Sequence, residues 1–259
     1  MQPTREPLKS VFDPTAFAAD LSALAFSRIA APAGDFTSVS AGYRHTCGVR
    51  TDGAVICWGD NTYGQSAAPA GNFTSVSAGY RHTCGVRTDG TVVCWHASYG
   101  EARAPTGVFT AVSAGYLYTL GLMTDGSVVC WGGTVQGCKM PPGGTVDGVL
   151  TTVSAGYDVA CGLKMDGTGI CWSEGVYQTF SELSRQVFIS LSAGWFGACG
   201  VVGADGTIVC WGFMEHSPIG GTFTSVSVGQ MHSCGIRTDG TVVCWWVTNG
   251  DYQPGPPAP

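Results

Sequence analysis

The sequence predicts an all-β fold, a single β-propeller, and three observations favour it. Glycine is abundant (39 of 259 residues) and only 12% of the residues are charged, a composition typical of β structure with many tight turns. The eighteen residues FTSVSAGYRHTCGVRTDG occur twice without a change, at 36–53 and 73–90. Related units recur six times at a period near 37 residues, which indicates a repeat architecture.

Each unit has a glycine after a Val-Ser-Ala-like tripeptide, an Asp-Gly pair ten or eleven residues later, and then a Cys-Trp pair. The glycines are Gly42, Gly79, Gly115, Gly156, Gly194 and Gly229. Runs such as VICW and VVCW are β-branched and aromatic, and Asp-Gly separates each from an earlier short strand, so the unit predicts antiparallel hairpins. Four-stranded units of about forty residues that stack radially make a propeller. A linear β-solenoid, whose coils are usually shorter, is the alternative.

The explicit repeats span 36–250. Because the period of 37 fits seven times into 259 residues, the sequence favours seven blades, with the N-terminal segment 1–35 as a degenerate blade; six blades are the alternative. Asp13-Pro14 resembles a helix start, so a helical extension is the other interpretation of 1–35. The apolar run around Asp20 only loosely resembles a secretory signal, and we expect no retained signal peptide. Residues 251–259 are assigned as a C-terminal tail, and its last segment PGPPAP (254–259) is expected to be frayed.

Ten of the twelve cysteines form pairs ten or eleven residues apart: Cys47/Cys57, Cys84/Cys94, Cys161/Cys171, Cys199/Cys210 and Cys234/Cys244. With Thr51–Gly53 as a three-residue loop, Cys47 lies opposite Cys57, and such Cα atoms are ~4.5–5.5 Å apart, within the disulfide range. The Cys199/Cys210 pair is eleven residues apart and not ten. Its extra residue falls in the loop, so the two cysteines remain opposite each other. In the third repeat Leu120 stands opposite Cys130, so we predict that Cys130 is bonded to Cys138.

Zinc is the competing interpretation, because His45 could share one hairpin face with Cys47 and Cys57. However, Val159 and Gly197 replace the histidine in repeats that keep both cysteines. The sequence therefore predicts disulfides, with no metal and no cofactor. Disulfides imply an oxidising compartment, so the expected location is secreted or periplasmic.

The repeat resembles that of the regulator of chromosome condensation superfamily, in which a glycine, a histidine, Asp-Gly and a tryptophan stand at fixed spacing. The best match is Gly79, His82, Asp89, Gly90, Val92 and Trp95, and the resemblance covers residues 36 to about 250. It implies a seven-bladed propeller. The short connection YGQSAAPAGNFTSVSAG is similar to the compact bacterial branch, which includes the secreted type II β-lactamase inhibitor protein. That branch implies aromatic target contacts on one face.

Residues identical in every copy, such as the Asp-Gly turns and the Cys-Trp tryptophans, serve the frame that the copies share. We also assign the histidines His45, His82 and His232 to this frame. The candidate partner-binding residues are the variable ones after each glycine: Tyr43-Arg44, Tyr80-Arg81, Tyr116-Leu117 with Tyr118, Tyr157-Asp158, Trp195-Phe196 and Gln230-Met231. Radial symmetry would bring them to one mouth of the propeller, where grouped aromatic and Arg side chains suit a protein-binding hot spot. A less regular second belt follows Cys-Trp: Asn61, Tyr63, Tyr99, Val135, Tyr177, Phe213 and Asn249.

No nucleophile, base and orienting group stand out together, so the sequence predicts no enzyme. The net charge of −6 provides no basic field for nucleic acid, and no apolar run reaches the length of a membrane span. The predicted function is a secreted, monomeric binding protein that engages another protein, for example by inhibiting an extracellular enzyme such as a β-lactamase. The alternative is a lectin, because Tyr and Trp also stack on sugars. The divergence of the variable pairs favours one protein partner over a multivalent glycan.

Overall fold

Each repeat forms consecutive strands that pair antiparallel in chain order. A computed structural model of the chain describes residues 32–96, 103–133, 148–173, 186–195, 197–212, 220–229, 232–248 and 251–254. Within these residues the regular secondary structure is entirely β, as predicted, and the strands form six sheets. All of the described residues lie in one compact unit that begins at Pro32.

Each sheet is one blade of the propeller, and the blades follow the repeats. Blade 1 contains β1 (Phe36–Ala41), β2 (His45–Arg50) and β3 (Val55–Gly59); blade 2 contains β4 (Phe73–Ala78), β5 (Thr83–Arg87) and β6 (Val92–Trp95). Blade 3 contains β7 (Phe109–Ala114), β8 (Tyr118–Met123) and β9 (Val128–Gly132); blade 4 contains β10 (Leu150–Ala155), β11 (Val159–Lys164) and β12 (Gly169–Ser173). Blade 5 contains β13 (Phe188–Ala193), β14 (Gly197–Val202) and β15 (Ile208–Gly212); blade 6 contains β16 (Phe223–Val228), β17 (His232–Arg237), β18 (Val242–Thr248) and β19 (Asp251–Pro254).

The Asp-Gly turns set the register that the sequence predicts. The Arg50 amide donates to the Ala54 carbonyl at 2.8 Å, which closes a three-residue loop, and Cys47 pairs with Cys57 across the two strands. The aspartate side chain also accepts a hydrogen bond from the residue after the glycine, as Asp89 does from the Thr91 amide at 2.9 Å. The longer loop of blade 5 leaves its cysteine pair in register, because the insertion lies outside the ladder.

The five disulfides predicted from the hairpin register are all formed. Each joins the second strand of a blade to the third: Cys47–Cys57 in blade 1, Cys84–Cys94 in blade 2, Cys161–Cys171 in blade 4, Cys199–Cys210 in blade 5 and Cys234–Cys244 in blade 6. The expected Cα spacing needs a correction, because the bonded cysteines are 4.0 Å apart in every pair and not ~4.5–5.5 Å. The covalent bond draws the two strands together at this point of the ladder.

Blade 3 departs from this pattern in the way that the sequence predicts. Leu120 lies opposite Cys130, and Cys130 is itself disulfide-bonded. Its predicted partner, Cys138, lies outside the described residues, so the Cys130–Cys138 pairing stays a prediction.

The Cys-Trp tryptophans pack between neighbouring blades. Trp95 of blade 2 contacts the cluster that contains Cys47 and Val49 of blade 1, and Trp245 of blade 6 packs with Cys199 of blade 5 in the same way. The disulfide face of each blade therefore meets the aromatic face of the next. Where blade 3 lacks this disulfide, the fully buried Leu120 fills the position. These interfaces hold the core, because a three-stranded sheet buries its faces only by stacking on others.

The outer faces of blades 1 and 6 differ from their equivalents in the other blades. Val39 of β1 is 65% exposed, whereas Val76 at the same position of β4 is 9% exposed. Ile236 of β17 is 44% exposed, whereas Val86 of β5 is 2% exposed. A further blade would cover apolar faces of this kind. The seventh blade remains a prediction, since residues 1–31 lie outside the described residues.

The C-terminal tail needs a correction. Residues 251–254 form β19, which pairs with β18 through Val247 opposite Tyr252 and gives blade 6 a fourth strand. This strand reaches Pro254, the first residue of the segment expected to be frayed, and fraying of the rest of that segment stays a prediction. Residues 255–259 lie outside the described part of the chain.

Candidate functional site

Close contacts between glycine corners bring the variable residues to one end of the propeller. The glycine lies between the first and second strands of each blade, and the amide after it donates to the glycine carbonyl of the next blade. The Tyr43 amide donates to Gly79 at 3.1 Å, and the Tyr80 amide donates to Gly115 at 3.1 Å. A Cβ atom on Gly79 would lie 2.6 Å from the Gly115 carbonyl oxygen, so this approach requires glycine.

The side chains that follow these glycines form one continuous aromatic cluster, which we call the mouth cluster: Tyr43, Tyr80, Tyr116, Tyr157 and Trp195. Ring centroids are 4.6 Å apart for Tyr43–Tyr80, 4.3 Å for Tyr80–Tyr116, 4.4 Å for Tyr116–Tyr157 and 4.9 Å for Tyr157–Trp195. Tyr43 and Trp195 complete the circle at 6.3 Å. The convergence predicted from radial symmetry is therefore present for five blades, in tilted and edge-on pairs that suit aromatic side chains.

The second residue after each corner glycine differs in chemistry among the blades. Arg44 and Asp158 are exposed, whereas Arg81 and Leu117 are half-buried. The Arg44 guanidinium carbon lies 5.3 Å from the centroid of the Tyr43 ring. Three further candidates, Phe196, Gln230 and Met231, lie outside the described residues. The arginines thus occupy blades 1 and 2, and the carboxylate occupies blade 4.

Tyr63 makes a contact that repeat symmetry does not predict. The Arg81 guanidinium carbon lies 4.4 Å from the centroid of the Tyr63 ring and 5.0 Å from that of Tyr80. Tyr63 comes from the connection between blades 1 and 2, so it joins the second belt to the mouth cluster. Asn61 of that belt instead accepts a hydrogen bond from the Ser66 amide at 2.9 Å. The other belt residues, Tyr99, Val135, Tyr177, Phe213 and Asn249, lie outside the described residues.

Tyr118 is not part of the mouth. Its side chain is 3% exposed and packs with Leu120 and Trp172 between blades 3 and 4. It occupies the histidine position of the repeat, the third residue after the glycine. The expectation of a partner-binding role for Tyr118 is therefore corrected to a frame role, and burial raises the pKa of its hydroxyl.

The disulfide cysteines belong to the frame and offer the mouth no free thiol. The half-cystines of the third strands lie inside β3, β6, β12, β15 and β18, at Cys57, Cys94, Cys171, Cys210 and Cys244. Each precedes the tryptophan that packs between blades, so its disulfide holds that tryptophan's strand in register. The structure therefore gives these cysteines a stabilising role and not a binding one.

Two histidines connect successive blades, as expected for frame residues. His45 Nε2 lies 2.7 Å from Thr83 Oγ1, and His82 Nε2 lies 2.9 Å from Thr119 Oγ1. The Thr83 hydroxyl donates to the Gln65 carbonyl, so it accepts its hydrogen bond from His45. Burial lowers the pKa of His45 to about 4 and that of His82 to about 3. Both histidines are therefore neutral at physiological pH.

A cavity of about 360 Å³ is lined by four members of the mouth cluster, Tyr43, Tyr80, Tyr116 and Trp195. The rest of its wall consists mainly of the small residues that end the first strand of each blade, such as Ala78 and Ala193, and of the corner glycines. Burial and the neighbouring Tyr80 and Tyr157 raise the pKa of Tyr116, which keeps its hydroxyl protonated at neutral pH. The mouth thus presents aromatic side chains that also line a central cavity.

The described residues contain no cluster of three or more His, Cys, Asp or Glu side chains that could hold a metal ion. Nor does this part of the chain contain a helix that is long and apolar enough to cross a membrane. The described side chains of the mouth offer apolar contact, hydrogen bonding, the guanidinium groups of Arg44 and Arg81, and the carboxylate of Asp158.

Comparison with known proteins identifies the repeat. The model of the regulator of chromosome condensation (RCC1) repeat matches residues 36–65, 73–95, 109–138 and 223–245. Four of the six repeats are therefore RCC1-like. The matched segments correspond to blades 1, 2, 3 and 6. No curated protein matches the chain.

Solved structures support the propeller fold. The CRINKLY WD40 ectodomain of the receptor kinase ACR4 from Arabidopsis thaliana has a TM-score of 0.67 and 26% identity, over 82% of this chain and 79% of that one. The ectodomain of the receptor kinase CR4 from Physcomitrella patens has the same score and identity, over 83% of this chain and 65% of that one. Prp20p from Saccharomyces cerevisiae, whose structure is described with its binding to Gsp1p and histones, has a TM-score of 0.65 and 17% identity, over 81% of this chain and 71% of that one.

Proposed function

We propose that this propeller is a non-enzymatic, monomeric binding protein of an oxidising compartment, secreted or periplasmic, that holds another protein against its mouth cluster. The observation that carries the proposal is the convergence of five aromatic side chains from five successive blades, ringed by side chains that differ from blade to blade. The frame explains the shared glycines and tryptophans. It does not dictate Arg44, Leu117 or Asp158, whose positions change chemistry while the backbone stays the same.

The composition of the mouth fits the centre of a protein interface. Tyr, Trp and Arg are enriched in hot spots, which lie near the centre of an interface and are surrounded by more polar contacts. Tyr43 is 38% exposed and the other cluster members are half-buried, so the cluster supplies a centre and the flanking loops supply the rim. Because the aromatic side chains already pack on one another, little conformational entropy is lost when a partner covers them.

The disulfides and two of the similar structures support the proposed location. Five cross-linked hairpins require an oxidising environment to form and persist. The two plant relatives at 26% identity are both receptor ectodomains. Prp20p, whose structure is described with its binding to Gsp1p and histones, supports at 17% identity the fold and not a partner.

The lectin alternative fits the geometry less well. A sugar stacks on an open aromatic face, whereas each member of the mouth cluster lies 4.3–4.9 Å from the next, centroid to centroid. The faces are therefore largely used by neighbouring rings. A protein partner needs only the exposed edges together with the surrounding side chains.

Affinity measurements on mouth and control variants test the proposal. Partners are captured from extracellular fluid on the immobilised protein, purified β-lactamase is tested as a separate probe for binding and inhibition, and a glycan array is tested in parallel. We expect Trp195→Ala and Tyr80→Ala to weaken binding of the captured protein by more than tenfold. The control is Met165→Ala, which removes a 74% exposed apolar side chain beyond the other end of β11. Equal affinity of all variants would contradict the proposal, and glycan binding that depends on Trp195 would favour the lectin.

A further inference from the structure

Arg81 contacts two tyrosine rings, one from its own blade and one from the connection between blades 1 and 2. Its guanidinium carbon lies 4.4 Å from the Tyr63 centroid and 5.0 Å from the Tyr80 centroid, so both contacts are within cation–π range. Tyr80 belongs to the mouth cluster and Tyr63 to the connection that leaves blade 1. A guanidinium near aromatic rings still carries its N–H donors, and their planar arrangement matches the geometry of a carboxylate.

The Tyr63 side of this arrangement is rigid. The Tyr63 amide donates to Gln65 Oε1 at 2.9 Å, and Gln65 is almost completely buried. The Gln65 carbonyl accepts hydrogen bonds from Trp95 Nε1 at 2.9 Å and from the Thr83 hydroxyl at 2.9 Å. The turn that carries Tyr63 is thus fastened to blade 2, the blade that carries Arg81. The position of the guanidinium is set before any partner arrives, which lowers the cost of binding.

A second arginine reinforces the positive charge on this side of the mouth. Arg44 precedes β2 in the neighbouring blade and stacks on Tyr43 at 5.3 Å. The carboxylate near it, Asp60, is engaged locally, because it accepts hydrogen bonds from the Thr62 hydroxyl and amide. These hydrogen bonds, and more weakly the charge of Arg44, lower the pKa of Asp60. The chain has only 12 Lys and Arg residues and a net charge of −6, so two arginines in adjacent blades make this edge distinctive.

We propose that Arg81, supported by Arg44, binds a carboxylate side chain of the partner protein, next to an apolar side chain that lies on the mouth cluster. The inference rests on the proposed function and specifies its partner: an acidic residue adjacent to an aromatic or aliphatic one. A stacked arginine offers parallel N–H donors for two-point binding of a carboxylate, which adds geometric selectivity to charge. Asp158 in blade 4 repels a carboxylate, so the acidic residue faces blades 1 and 2 and the partner has one preferred orientation.

The test uses a phage-displayed library of random peptides as the probe. Peptides selected on the full-length wild-type protein are synthesised in pairs, with each Asp or Glu kept or replaced by Asn or Gln. We expect enriched peptides to contain an acidic residue near an aromatic or aliphatic one, and to bind R81Q at least tenfold more weakly. R81K keeps the positive charge but loses the parallel N–H donors of the guanidinium, and we expect an intermediate loss of affinity. R237Q is the control, because Arg237 also stacks on a ring, at 5.8 Å from Phe223, but ends β17 away from the mouth.

The outcomes separate the two proposals. Loss of binding in R81Q for acidic peptides, but not for their amide counterparts, supports the inference. Peptides that lose affinity in W195A but bind R81Q and wild type equally would overturn the inference and leave the proposed function in place. Selected peptides that bind W195A, R81Q and wild type equally, or a selection without any mouth-dependent peptide, would contradict both.

Discussion

The Tyr43 ring of blade 1 lies 6.3 Å from the Trp195 ring of blade 5, with only 14° between their planes. The two residues are contributed by repeats that are far apart in the chain, and each also packs on the intervening members of the mouth cluster. Their contact closes the cluster into a circle. The aromatic surface is therefore one unit whose members support one another.

Coupling between these two residues follows from their contact. We expect the double variant Y43A/W195A to lose less stability than the sum of the single variants, with a coupling energy of about 0.5–1.5 kcal/mol. Urea unfolding of the four proteins measures this directly. Strict additivity would show that the circle does not close in solution.

The corner glycines provide a test with a matched control. We expect Gly79→Ala to cost about 1–3 kcal/mol of unfolding free energy, because its Cβ would lie 2.6 Å from the Gly115 carbonyl oxygen and 2.8 Å from His82. Gly220→Ala meets nothing within 4 Å and should change stability by no more than about 0.5 kcal/mol. Denaturant titrations compare the two. Equal effects would mean that the corners do not approach as closely as described.

The buried histidines predict a pH dependence of stability. Burial lowers the pKa of His45 to about 4 and that of His82 to about 3, from 6.5 in the unfolded chain. The unfolded chain therefore binds protons that the folded protein does not bind. The free energy of unfolding falls as the pH drops from about 6.5 towards 4. Each histidine contributes a slope of up to about 1.4 kcal/mol per pH unit.

The variant His82→Gln should flatten this slope by about half, since it removes one of the two groups. Unfolding free energies between pH 7 and 4.5 give the comparison, above the range in which the aspartates of the turns titrate. An unchanged slope in H82Q would exclude His82 as its source.

Much of this structure follows from the sequence, because every repeat carries the same constraints. The spacing of Cys47 and Cys57 around Asp-Gly fixes the hairpin register, and the blade 5 insertion is harmless because it lies in the loop. Convergence of the mouth cluster follows from symmetry, since equivalent residues of successive blades occupy equivalent positions. These features depend on spacing, which a single sequence displays.

Other features depend on contacts between residues that do not occupy equivalent positions of the repeat. The Arg81–Tyr63 contact joins a corner to a connection whose sequence differs between repeats, so no periodic signal marks it. Tyr118 resembles a mouth residue until it is aligned with His82, and its burial between blades then follows. The hydrogen bonds of the two histidines are also visible in the sequence. His45 bonds to Thr83, which directly follows the histidine position of blade 2. His82 bonds to Thr119, which directly follows the same position of blade 3.

The outer face of blade 1 tests the number of blades. Val39 and Val76 are equivalent residues with 65% and 9% exposure. We expect Val76→Asp to cost at least about 2 kcal/mol, because it buries a charge between blades. If a seventh blade covers the face of blade 1 in solution, as the sequence period predicts, Val39→Asp should cost nearly as much. A loss below about 0.5 kcal/mol for V39D would contradict seven blades and favour six.

The central claim is that the mouth cluster is the surface that a partner covers, and side-chain oxidation footprinting tests it most directly. Hydroxyl-radical labelling of the protein alone and with its captured partner reports the accessibility of Tyr43, Tyr80 and Trp195 in one experiment, with Met165 as an internal control. We expect at least a threefold fall in labelling of the three aromatic residues and no change at Met165. Undiminished labelling of the mouth in a saturated complex would contradict the account.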